Sequence, residues 1–119
     1  QATNSLMACV KMLLDYCNVE ADTAQYRPQD GLLTDWIAQY LRSHIMKLGG
    51  VTLDEALYYV YLQNPVIAVN GSGEAILITG YDKSGINMIR PQDGRRGKFS
   101  MREAENFLGE QDYYFIVIY

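Results

Sequence analysis

The chain has 119 residues, 49% hydrophobic and 20% charged, with a formal net charge of −4 and a sequence pI near 4.8. That length buries one core but not two, so a single domain spanning 1–119 is expected. The acidic balance argues against a nucleic-acid partner, which needs clustered Lys and Arg, and no apolar run is long enough to insert in a bilayer.

From Thr3 or Asn4, either a good cap, Leu6, Val10, Leu13, Leu14 and Cys17 recur at helical spacing and stop near Asn18. Cys9 and Cys17 are eight residues apart on this helix, about 12 Å of rise, too far for a mutual disulfide; both read as buried thiols. Residues 18–31, with Pro28, Asp30 and Gly31, read as loop. Thr34 is expected to cap a second helix with Trp36, Ile37, Tyr40 and Leu41 on one face and His44 near its end. Beyond Gly49 and Gly50, Thr52 and Glu55 form a capping box for a third helix, with Leu53, Leu57, Val60 and Tyr61 on its apolar face, reaching about Gln63.

The second half reads as strands at 65–70, 74–82, 85–89 and 113–119, rich in Val, Ile and Tyr, with short gaps that favour antiparallel pairing. Gly71-Ser72-Gly73 reads as a tight turn, and Arg95-Arg96-Gly97-Lys98 as a solvated loop. A second capping box, Ser100 with Glu103, starts a short helix ending at Leu108-Gly109. Helices first and strands second is the α+β pattern, with helices expected on one side of an antiparallel sheet.

One histidine and two helical cysteines do not make a zinc set, and no Gly-rich phosphate loop joins a strand to a helix, so neither metal nor cofactor is expected. Cys9 lies a full turn into its helix, where a core thiol is expected rather than a nucleophile, and His44 is expected to complement a helix C-terminus. The ten tyrosines, among them Tyr58-Tyr59 and Tyr113-Tyr114, read chiefly as half-buried core; a peptide-binding surface is their alternative. Gln1 is not preceded by the segments of a signal peptide, and the chain reads as a piece of a longer protein.

Four stretches carry a resemblance: Gln1 to Tyr16; Asn64-Pro65-Val66-Ile67; Glu74 to Asp82, ending in Gly80-Tyr81-Asp82; and Arg90-Pro91. In order and spacing they resemble the bacterial papain-like cysteine peptidases, especially the domains that cleave double-glycine leaders on bacteriocin exporters and the related secreted effector proteases. The resemblance implies a papain-like fold, with N-terminal helices packed on a C-terminal antiparallel sheet. It also implies a bacterial setting, either the cytoplasmic side of an exporter or a secreted effector.

A papain-type site needs a thiolate at a helix N-terminus, an imidazole beside it and a group to orient that imidazole. Counting back from Met12 puts the nucleophile at Ser5, and counting through Gln1, Thr3 and Asn4 puts it at Leu6. The histidine position holds Glu74 and the orienting Asp is replaced by Arg90. The resemblance therefore implies an inactive domain that binds a peptide or protein, with Glu74 and Arg90 forming an ion pair across neighbouring strands; the alternative for these two is that both point into water. Its alternative is a cysteine peptidase with its nucleophile changed to Ser5; a structural or regulatory segment of a larger toxin or exporter is a third reading.

Overall fold

The computed structural model describes residues 2–27, 29 and 31–119, and of residues 2–4 the backbone alone. Pro28 and Asp30, read from sequence as loop, lie outside the described residues.

The first helical run folds as α1 (Ala2–Tyr16), so Thr3 and Asn4 fall inside the first turn rather than capping it. Asn18 takes a left-handed φ of 58°, its N–H donates to Asp15 O and that of Val19 to Leu14 O, which satisfies carbonyls left open by the helix end. The following segment contains a 3₁₀ turn (Thr23–Gln25) capped by Asp22, whose carboxylate accepts from Ala24 N.

The second helix is shorter than its spacing suggests. α2 (Leu33–Ala38) starts after Leu32, Thr34 lies within it, and of its expected face only Trp36 and Ile37 are buried. Tyr40 and Leu41 fall beyond its end, and the chain then enters a strand, β1 (Ile45–Gly49), where a helix end was expected. The Thr52–Glu55 box opens α3 (Leu53–Tyr61), with both reciprocal hydrogen bonds formed. Leu53, Leu57 and Val60 face the core while Tyr61 faces water. Gln63 takes φ 73°, closing α3 as Asn18 closes α1, and Tyr16 Oη donates to Gln63 O at 2.9 Å, joining the two helix ends.

The remaining strands are β2 (Val66–Val69), β3 (Ala75–Asp82), β4 (Gly85–Ile89), β5 (Arg96–Phe99) and β6 (Tyr114–Ile118). Between β5 and β6 runs α4 (Met101–Leu108), whose Ser100–Glu103 capping box is formed. All six strands pair antiparallel in one sheet, in the order β1-β6-β2-β3-β4-β5. The basic run expected to be a solvated loop is thus an edge strand. Its hairpin turns through Asp93-Gly94, with Gly94 at φ 70°, a dipeptide well suited to reversing the chain. Gly85 sits where no other residue fits: a Cβ there would lie 1.9 Å from Phe99 O.

Helices cover both faces of this sheet, not one. Val66, Ala68, Ile76, Ile78, Phe115 and Val117 belong to the core closed by α3 and α4. Their alternates Ile67, Val69, Ala75, Leu77, Ile116 and Ile118 belong to the core closed by α1 and α2. With both faces covered, β2 and the first half of β3 carry unbroken apolar runs where a one-sided sheet would alternate apolar and polar residues. The architecture is α+β, in three layers.

Candidate functional site

The start of α1 and the head of β3 meet. Ser5, half-buried in the early turns of α1, accepts a hydrogen bond through Oγ from Ala75 N at 3.1 Å, across seventy residues of sequence. Leu6 turns into the core between α1 and the sheet. Gln1 lies outside the described residues.

Glu74 precedes Ala75 and is held by its main chain. Its N–H donates to Asn70 Oδ1 at 2.9 Å, its carbonyl accepts from Asn70 N at 2.9 Å, and Ser72 N also donates to Asn70 Oδ1. This closes residues 71–73 into the expected turn. The alternation that sends Ala75 toward α1 sends Glu74 to the other face with Ile76, where it lines a groove of about 360 Å³ together with Arg90, Asp93, Phe99 and Phe107.

Arg90 follows β4 and opens into the same groove, but Glu74 and Arg90 do not form the expected ion pair. The pairing register gives the reason. Leu77 faces Ile89, so Arg90 stands across from Ile76, and Glu74 lies two residues further along. The Arg90 side chain lies instead over Gly97, where a Cβ would come within 3.3 Å of its Nε. Both residues are exposed. The groove unites the two, with an aromatic wall of Phe99 and Phe107. Its one sequence signal was the alternation of Gly97 and Phe99 beside the Asp93-Gly94 turn.

The ion pair that does cross between strands is Asp82 with Lys98, at 2.9 Å. Hydrogen bonds from Ser84 Oγ, Lys98 Nζ and Ser84 N hold the Asp82 carboxyl well below the usual carboxylate range.

The thiols are placed as core chemistry. Cys9 is fully buried between α1 and the sheet, and burial pushes its thiol up to about 12, where almost no thiolate exists at neutral pH. Cys17 is half-buried rather than buried, at the rim of a hollow of about 570 Å³ shared with Tyr16, Tyr40 and Arg42; partial burial raises its pKa too. Both are free cysteines.

His44 is not at a helix end. It extends β1, exchanges main-chain hydrogen bonds with Tyr119 at 3.0 Å each way, and stacks on the Tyr119 ring at 5.3 Å. One strand, β2, stands between that pair of strands and β3. Tyr59 and Tyr58 continue the aromatic contact across the surface. Tyr16, Tyr40, Tyr58, Tyr61, Tyr81 and Tyr119 are exposed, so the tyrosines serve the surface more than the core.

Among the described residues, no group of three or more His, Cys, Asp or Glu is gathered to hold a metal, and no helix is long and apolar enough to cross a membrane. Comparison with protein-family models and with curated proteins finds no match. The Ser5 hydroxyl thus meets the strand on one face of the sheet, and the Glu74 and Arg90 side chains line the groove on the other.

Proposed function

We propose that this chain is a catalytically inactive papain-like domain that binds a peptide or protein partner. The observation that carries this reading is the hydrogen bond between Ser5 Oγ and Ala75 N. In the family that the sequence resembles, the nucleophile at the start of the first helix works beside a histidine at the head of an apolar strand. Here the corresponding helix and strand meet through a serine, and the residue preceding Ala75 is a carboxylate whose side chain lines the opposite face. A serine hydroxyl becomes a useful nucleophile only with a base positioned to take its proton, and neither Glu74 nor Arg90 is so placed. The apolar wall of Phe99 and Phe107, flanked by charged side chains, is the kind of surface that holds a peptide without reacting with it.

The test is a fluorescein-labelled peptide of leader type, ending in two glycines, followed by anisotropy and mass spectrometry in one sample. A saturable rise in anisotropy with the peptide intact supports the reading. Cleavage, or an anisotropy that stays flat, contradicts it.

A further inference from the structure

We propose that the free edge of β5 receives an extended acidic segment of a partner as a seventh strand of the sheet. This deepens the binding function proposed above and rests on it. β5 ends the strand order, and its hydrogen-bond phase is fixed by Arg90 N donating to Arg95 O at 2.9 Å. Counting along the antiparallel ladder from that bond, Gly97 and Phe99 point their main-chain groups at β4, while Arg96 and Lys98 point theirs outward. Among the described residues no group hydrogen-bonds those outward N–H and C=O groups. They are a template for strand addition.

Charge selects the occupant. Residues 90–102 hold five of the ten Lys and Arg and one acid, a net of +4 in a chain of net −4, which leaves −8 on the rest. Among the described residues, only two of those five cations make ion pairs, Arg95 with Asp93 and Lys98 with Asp82. A second copy of the chain, paired through the same edge, would set Arg96 and Lys98 against their own kind, which is unfavourable for directly opposed side chains. An added strand would alternate as β5 does. Its acidic residues would lie beside Arg96 and Lys98 on one face, and its apolar residues would lie on the face of Phe99, where the groove under α4 opens.

The probe is a labelled heptapeptide alternating Glu and Val, with Lys replacing Glu in the control, titrated into the whole domain. The Glu peptide binds, the Lys peptide does not, and Arg96→Glu weakens binding about fivefold, the scale of one or two cross-strand charge pairs. Hydrogen exchange at the amides of Arg96 and Lys98 slows on binding, a readout that loss of charge attraction alone would not produce. Circular dichroism checks that Arg96→Glu keeps the fold. The inference is overturned if the Glu peptide fails while the double-glycine peptide binds, which leaves the binding function standing; if neither binds, both fall. It is also overturned if the Arg96 and Lys98 amides stay unprotected, or if an oligothymidylate binds this face and the Glu peptide does not.

Discussion

The guanidinium of Arg90 lies over Gly97, its Nε 3.3 Å from the point that a Cβ on that glycine would occupy, and not against Glu74. A bare glycine on the edge strand gives the long side chain a surface to cover, and the strand register leaves Glu74 two residues out of step. The two charges share a groove without being a pair.

A double-mutant cycle reads this directly. Glu74→Ala and Arg90→Ala are each expected to cost less than about 1 kcal/mol, as exposed residues do, and their coupling is expected to be below about 0.5 kcal/mol. Chemical denaturation of the four proteins measures it. A coupling well above that bound would mean that the carboxylate and guanidinium meet in solution.

Cys9 and Cys17 should differ in reactivity. Cys9, fully buried with its thiol raised to about 12, waits for unfolding before it meets a disulfide reagent, whereas half-buried Cys17 at the rim of its hollow reacts in the native state. Mass spectrometry after a timed pulse of reagent separates the two. Modification of Cys9 at the same rate as Cys17 would place that thiol outside the core.

Asp82 sets a pH dependence of definite sign. Its carboxyl is held low by Ser84 and Lys98, so the stability that it contributes is fully present above its ordinary unfolded value, near 4, and is lost as pH falls through the lower folded value. The melting temperature of Asp82→Asn should therefore lie below that of the natural protein at neutral pH. The gap should shrink steadily at pH below about 4. Because Asp82 is exposed, salt should narrow the gap as well. A gap that is constant across this range would show that the carboxylate charge plays no part.

Much of this fold was legible in the sequence, and the failures have physical causes. The two capping boxes at Thr52 and Ser100 found their helix starts because reciprocal hydrogen bonds are written in adjacent residues. The strand at 85–89 was placed because turn residues bracket it. The missed strands are both edges: β5 is charged and short, as edge strands often are, and β1 follows a broken helix whose periodicity ran on past its end. The second layer of helices was announced by Val66-Ile67-Ala68-Val69, an unbroken apolar run that a sheet with one wet face would not carry. Of the candidate site, the positions Ser5, Glu74 and Arg90 showed in the motifs, whereas the hydrogen bond from Ala75 N to Ser5 Oγ, seventy residues apart, did not. Nor did the directions of the Glu74 and Arg90 side chains, because a register offset and a neighbouring glycine set them, and neither is visible from the two residues themselves.

We propose that the hydroxyl at the start of α1 holds the strand and does no chemistry. It is tested most directly by incubating the natural domain and Ser5→Ala with a fluorogenic double-glycine peptide and following release of the fluorophore over hours. No turnover above the buffer rate is expected from either protein, and Ser5→Ala should lose stability by about 1 kcal/mol for the hydrogen bond to Ala75 N. Turnover by the natural domain that disappears in Ser5→Ala would show instead that this hydroxyl is a nucleophile.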